Sequence, residues 1–122
     1  MSITENLKKG TAELLLLTLL NIRDMYGYQL SQELAKRSDN MFILREGSMY
    51  PTLYRLVEKG YISDRREKVG KRRTRVYYHL EPSGLKYLNY IKSEYLSINE
   101  GVLKILNYSG GISDNVRKSF AI

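Results

Sequence analysis

The segment from Arg65 to Arg75 constrains the fold most, because it joins two stretches in which residue types alternate with the period of two that is typical of β-strands. It holds seven basic residues and one acid, a net +6 of the chain's +7. Residues rich in Tyr, Val, Ile and alternating Arg flank Gly70 and predict a β-hairpin over residues 61–69 and 74–80, with a basic tip. Charge of one sign concentrated in this way favours binding to a polyanion over a merely solvated surface.

Two helices are predicted in the first third of the chain. Ser2 and Glu5 fit a capping box, and the Leu-rich stretch from there to Asn21 predicts one buried helix that is apolar nearly all round. The stretch from Asp24 to Gly27 breaks this pattern, and a short amphipathic helix follows it and ends near Arg37. Residues 38–47 then predict a loop.

A third helix is predicted from Ser48 to the residue before Gly60. Pro51 in its first turn loses no hydrogen bond, and glycine is favoured just past a helix end. One arc of this helix is apolar and the opposite arc is polar, with Pro51, Tyr54 and Glu58 beside the polar arc. We expect the apolar arc to face the core and the polar arc to face solvent or a groove. The apolar arc is Met49, Tyr50, Leu53, Leu56 and Val57, and the polar arc is Ser48, Thr52, Arg55 and Lys59.

The longest predicted helix begins at Pro82 and extends to about Asn107. Its apolar residues are spaced three and four apart, which is a heptad seam that a helix projecting from a small domain can bury only against a partner. We therefore expect a homodimer. The seam consists of Leu88, Ile91, Tyr95, Ile98, Val102 and Ile105.

No residue pattern indicates catalysis, a cofactor or a metal site. The chain has no Cys, and its one histidine, His79, lies in a strand pattern where a structural or surface role is expected. The glycines form no nucleotide-binding fingerprint. The apolar run from Leu14 to Leu20 is too short to span a membrane and lacks a cleavage site, so we expect a cytoplasmic protein without a membrane partner.

Three helices followed by a two-stranded ribbon predict a winged helix-turn-helix, a mostly α fold with a small β-hairpin. In that fold the third helix enters the major groove and the ribbon lies along the DNA backbone. We expect a DNA-binding domain over residues 1–80, a dimerisation helix over 81–107 and a tail over 108–122. The residues expected to contact DNA are Ser48, Tyr50, Pro51, Thr52, Tyr54, Arg55 and Lys59 on the helix, and Lys68, Lys71, Arg72, Arg73 and Arg75 on the hairpin.

Several motifs point to one family. They are the run Gly47-Ser48-Met49-Tyr50-Pro51-Thr52-Leu53-Tyr54-Arg55-Leu56, then Gly60-Tyr61-Ile62, together with Tyr26-Gly27-Tyr28, the strand from Arg75 to Leu80, and Gly84. Together they resemble the PadR family of bacterial transcriptional regulators, over about residues 7–107. The sequence departs from the family pattern at Val57, Val76 and Glu81, where an acidic residue, a lysine and a threonine are usual.

The resemblance implies a homodimeric repressor with paired C-terminal helices, which would bind an inverted-repeat operator in double-stranded DNA. In some relatives the dimer encloses a cavity for flat aromatic or cationic compounds, and Tyr95 corresponds by position to a residue that lines it. Packing in the dimer core is an equal alternative for Tyr95, because it lies on the heptad seam. The alternative function is an interaction module that binds RNA or another protein through the basic hairpin and the long helix.

Overall fold

The structure, a computed structural model, describes residues 2–109, so the predicted tail from residue 110 onward lies outside the described residues. A mostly helical chain with one small antiparallel sheet confirms the predicted fold class. In chain order the elements are α1 (Ile3–Lys8), α2 (Ala12–Leu20), β1 (Met25–Tyr26), α3 (Gly27–Arg37), α4 (Glu46–Glu58), β2 (Ile62–Lys68), β3 (Thr74–Leu80) and α5 (Pro82–Leu106).

The N-terminal stretch forms two helices, so the prediction of one helix from Ser2 to Asn21 was wrong. Ser2 does cap α1, because its hydroxyl accepts a hydrogen bond from the backbone N–H of Glu5 at 3.1 Å. Gly10 then turns the chain with a φ of +83°, a conformation that L side chains rarely adopt. Periodicity alone did not reveal this turn, since a single glycine is tolerated in a helical pattern.

Helix α2 supplies the centre of the core, as its apolar surface predicts. Leu16 and Leu17 are fully buried, and the side chains around them come from α3, α4 and the sheet. Burying one large aliphatic side chain contributes about 1.5–3 kcal/mol, so these contacts fix how α3 and α4 lie against α2. The other core residues are Leu14, Leu19, Leu20, Met25, Leu30, Leu34, Met49, Leu53, Leu56, Ile62, Tyr78 and Leu88.

The predicted hairpin is present and belongs to a three-stranded sheet of order β1-β3-β2. Strands β2 and β3 pair antiparallel along their whole length. Strand β1 adds Met25 and Tyr26 to the other edge of β3, opposite Tyr78 and Tyr77. The sequence pattern predicted only a break between helices at this segment, because two residues are too few to show alternation. Because β1 pairs with β3 only at Tyr77 and Tyr78, the hairpin has only two strands from Val76 to its tip.

Helix α5 has nearly its predicted length, from Pro82 to Leu106. By internal contacts the chain divides after Asn89, so the start of α5 belongs to the first unit and the rest to the second. Leu88 lies in the first unit and is only 3% exposed. Its predicted place on the dimer seam was therefore wrong, because its own chain already buries it. Among residues 2–109, no helix is both long and apolar enough to cross a membrane.

Candidate nucleic-acid interface

Helix α4 begins at Glu46, two residues before the predicted start at Ser48. Its N-cap is Arg45, which has an extended backbone and whose side chain makes no capping hydrogen bond. Pro51 therefore lies in the second turn instead of the first, where it cannot donate to the carbonyl oxygen four residues earlier. The helix ends at Glu58, with Gly60 just beyond it, as predicted.

The polar arc of α4 is exposed at every predicted position except one. Exposed on it are Ser48, Arg55 and Lys59, with Pro51 and Tyr54 beside them. Thr52 is only 5% exposed, so its prediction as a residue facing the groove was wrong. Its hydroxyl donates to the Ser48 carbonyl oxygen at 2.9 Å, which satisfies the buried polar group within the helix.

Thr52 also holds the side chain of Arg55. Nη2 of Arg55 donates to Oγ1 of Thr52 at 3.2 Å. The guanidinium, while exposed, is thus directed along the surface of α4. Restricting a long side chain in this way lowers the entropy that it loses on making further hydrogen bonds.

Tyr50 packs inward, in line with its predicted place on the apolar arc. Its hydroxyl lies against the first residue of α3, Gly27, where a Cβ would overlap it. Burial, followed by the neighbouring Glu46 and Tyr54, raises the pKa of Tyr50 above 10.0. Tyr50 therefore helps to seat α4 on α3, and its contact with DNA stays a prediction.

The inner face of the sheet is part of the core, with Met25, Ile62 and Tyr78 all buried. Burial, followed by nearby Tyr50, Tyr54 and Asp64, raises the pKa of Tyr78 to about 12. The Tyr78 phenol is consequently neutral at physiological pH. The hairpin is thus attached to the helical core at its base.

The outer face carries two aromatic rings in contact, each with one guanidinium group packed against it. Tyr26 and Tyr77 meet edge to face, with ring centroids 5.4 Å apart. The guanidinium of Arg75 lies 4.3 Å from the centroid of Tyr26, and that of Arg65 lies 5.1 Å from the centroid of Tyr77. Each such contact contributes about 0.5–1 kcal/mol at an exposed site. Arg75, predicted to contact DNA, is therefore half-buried against Tyr26, although it lies in the two-stranded outer part of the hairpin, opposite Glu67.

Arg65 is bound by two carboxylates within the chain. Its Nη1 donates to Oδ2 of Asp24 at 2.5 Å, and its Nε donates to Oε1 of Glu67 at 2.9 Å. The hydrogen bond to Glu67, and then that to Asp24, raises the pKa of Arg65 above its ordinary value. The cation closest to the helical core is thus neutralised, and the net positive charge of the hairpin lies further out.

Asp24 also meets the one histidine of the chain. Its Oδ1 lies 2.7 Å from Nδ1 of His79. Burial raises the pKa of Asp24, but the hydrogen bonds from His79 and Arg65 outweigh it and bring the pKa below 3.8. In the sequence Asp24 marks only a break between two helices, since its partners lie 41 and 55 residues further along the chain.

The hairpin tip, residues 69–73, is exposed throughout. A backbone hydrogen bond of 3.0 Å from Val69 N–H to the Arg73 carbonyl oxygen closes it. Lys68, Lys71, Arg72 and Arg73 form no ion pair within residues 2–109. Exposed cations without internal partners are available to phosphates. Arg45 and Arg66 are exposed cations as well, although neither was among the residues predicted to contact DNA.

A helical core, a helix with an exposed polar arc and a basic hairpin that packs against that helix define a winged helix-turn-helix protein. The model of the transcriptional regulator PadR-like family matches residues 16–90. The chain belongs to this family, which confirms the resemblance found in the sequence. The family is one of transcriptional regulators.

Solved structures share the fold. A transcriptional regulator from Clostridium thermocellum is 26% identical, with a TM-score of 0.76 over 81% of this chain and 96% of that one. A PadR family regulator from Eggerthella lenta is 27% identical, with a TM-score of 0.76 over 85% of this chain and 88% of that one. PadR from Bacillus subtilis, solved in complex with operator DNA, is 22% identical, with a TM-score of 0.62 over 66% of this chain and 45% of that one, and shows the shared fold alone.

Proposed function

We propose that this protein is a homodimeric repressor that binds an inverted-repeat operator in double-stranded DNA. The observation that carries the proposal is that two surfaces lie side by side on one unit. They are the exposed polar arc of α4 and the cations of the hairpin that form no ion pair among the described residues. Contacts between α4 and β2 hold these surfaces together. The Bacillus subtilis relative, which was solved with operator DNA, supports the choice of partner.

In this proposal α4 enters the major groove and reads bases. Arg55 reaches the acceptors of a guanine, the commonest specific contact of arginine, while Ser48 and Lys59 bind bases or phosphates beside it. Pro51 and Tyr54 offer apolar contact to thymine methyl groups. Thr52 acts indirectly, through its hydrogen bond with Arg55.

The hairpin supplies phosphate contacts. Lys68, Lys71, Arg72 and Arg73 would neutralise backbone phosphates or enter a minor groove, with Arg75 beside them at the start of β3. Such contacts contribute affinity that depends on salt and carries no direct sequence information. The hairpin therefore strengthens binding, whereas α4 selects the site.

Dimerisation would bury the apolar seam of α5. Tyr95, Ile98, Val102 and Ile105 are 45%, 65%, 48% and 78% exposed in the single chain, and Ile91 is half-buried. Leaving such side chains in water forgoes roughly 1.5–3 kcal/mol each. Pairing of two α5 helices would relate two α4 helices by a two-fold axis, and hence would require an inverted repeat.

Release by a small ligand is the regulatory part of the proposal. Tyr95 from each protomer would approach the two-fold axis and stack on a flat aromatic or cationic compound. A ligand bound there would change the separation of the two α4 helices and so weaken operator binding. Titration of planar cationic dyes should then give a lower dye affinity when the operator is present, and Tyr95→Ala should lower the dye affinity of the free protein.

Competition between nucleic acids tests the proposal against the alternative interaction module. The purified chain should self-associate, and duplex DNA should displace it from a labelled duplex far better than single-stranded DNA or RNA of the same sequence does. Preference for RNA, or a monomer that pairs only with a different protein, would favour the interaction module instead.

A further inference from the structure

The base of the hairpin is bound by a single carboxylate that lies outside it. Asp24 precedes β1, in the connection between α2 and the sheet. One of its oxygens bonds Arg65 on β2, and the other bonds His79 on β3. Asp24 therefore ties both strands of the hairpin to the helical part of the first unit.

Two further contacts restrict the side chain of Arg65 on the outer face of the sheet. Glu67 binds its Nε, and the ring of Tyr77, its direct partner across the strands, lies beneath its guanidinium. His79 pairs with Ser63 in the same ladder, so the two partners of Asp24 share one face of the sheet. This arrangement fixes the direction in which the hairpin leaves the core.

The outer part of the hairpin depends on that direction. Strand β1 pairs only as far as Tyr77, so the ribbon beyond it has two strands. A two-stranded ribbon is marginally stable alone and twists readily. The stretch from Arg65 to the end of β2 at Lys68 spans roughly 10 Å at about 3.3 Å per residue, so a small rotation at the base displaces the tip against a row of phosphates.

We propose that Asp24 is a positioning residue for DNA binding, which keeps the tip cations in reach of the backbone while α4 occupies the groove. This inference rests on the proposed function and goes beyond it, because Asp24 itself touches no DNA. The inference predicts that removing the Asp24 carboxylate weakens DNA binding, which is opposite to the electrostatic effect of removing an anion. Removing an anion near a DNA-binding surface raises affinity by Coulomb's law, whereas loss of position lowers it.

The test is a cycle of variants measured on one operator duplex. Asp24→Asn should weaken binding by about tenfold, on the scale of one charge-assisted hydrogen bond. In a background with Lys71, Arg72 and Arg73 changed to Gln, the same substitution should have no effect, because the tip no longer binds phosphates. Asp64→Asn, which removes the same charge from β2 on the opposite face, should not weaken binding.

A merely structural role for Asp24 would give a different pattern. General destabilisation would weaken binding equally in both backgrounds, and that result, or unchanged affinity of Asp24→Asn, would overturn the inference while DNA binding stands. If Asp24→Asn fails to fold by circular dichroism, His79→Ala breaks the second hydrogen bond at an exposed position and should show the same dependence on the tip. A wild-type chain that binds no duplex would overturn the proposed function, and this inference with it.

Discussion

The backbone carbonyl oxygen of Tyr61 occupies the space where a side chain on Gly84 would begin. The same carbonyl accepts a hydrogen bond from the backbone N–H of Glu81 at 3.0 Å. Next to it, the Ser83 hydroxyl donates to the Gly60 carbonyl oxygen at 2.7 Å. The first turn of α5 is therefore docked directly on the backbone that connects α4 to β2.

Gly84→Ala should consequently destabilise the fold by about 2 kcal/mol or more, because the added Cβ overlaps a backbone atom that is held by hydrogen bonds. Gly101→Ala is the matched control on the same helix, since nothing within 4 Å would meet its Cβ. That change should stabilise the helix by up to about 1 kcal/mol. Urea unfolding at one protein concentration measures both, and equal effects of the two substitutions would contradict the docking.

The exposed tip predicts a specific dependence on salt. Changing Lys71, Arg72 and Arg73 to Gln should lower the slope of log affinity against log salt by up to ~0.9 for each phosphate that the tip no longer neutralises. The control removes the same charge from α5 through Gln at Lys86, Lys92 and Lys104, and should leave the slope nearly unchanged. Fluorescence anisotropy over a series of salt concentrations measures it. An unchanged slope for the tip variant would mean that the tip does not touch DNA.

The lowered pKa of Asp24 predicts how stability depends on pH. A carboxylate whose pKa in the folded state lies below its ordinary value of 3.8 contributes stability above that value. The contribution is lost as the pH falls through the pKa of the folded state. The difference in unfolding free energy between wild type and Asp24→Asn should therefore be present at pH 5 to 6 and should shrink below about pH 4. A difference that stays constant across this range would contradict the hydrogen bonds to Arg65 and His79.

The seam of α5 predicts a dimer that one charge can split. Ile98→Asp places a carboxylate in the apolar interface, where burial of an unpaired charge is costly. Its neighbour Ser97 lies off the seam and is exposed, so Ser97→Asp should leave association intact. Sedimentation velocity at micromolar concentration distinguishes the species. If the wild-type chain sediments as a monomer, the interpretation of the seam as a dimer interface is wrong.

Local signals in the sequence predicted much of this fold. Helix α3 ends at Arg37 and the hairpin strands lie within a residue of their predicted bounds, because the amphipathic period, turn residues and strand alternation act over short distances. The start of α4 was missed because Ser48 is a favoured capping residue, whereas the actual cap, Arg45, makes no capping hydrogen bond with its side chain.

The sequence pattern could not predict how deeply a side chain is buried or which residues far apart in the chain come into contact. A helical wheel gives the direction of a side chain and not how far it is buried, so Thr52 and Leu88 were placed on faces that the fold covers. The Asp24 network joins residues far apart in the chain, and only the pairing of β2 with β3 and their packing beside β1 bring them together. No local motif marks such a residue.

Selection of bound duplexes from a random DNA pool tests the central claim most directly, because it reports site and symmetry together. Wild-type protein should enrich an inverted repeat with half-sites about 10 bp apart, and Arg55→Ala should relax the preference within each half-site while keeping their spacing. Arg37→Ala, an exposed arginine of α3 paired with Glu33, should enrich the wild-type site. Failure to enrich any duplex, or enrichment of a single half-site without symmetry, would contradict a dimeric DNA-reading regulator.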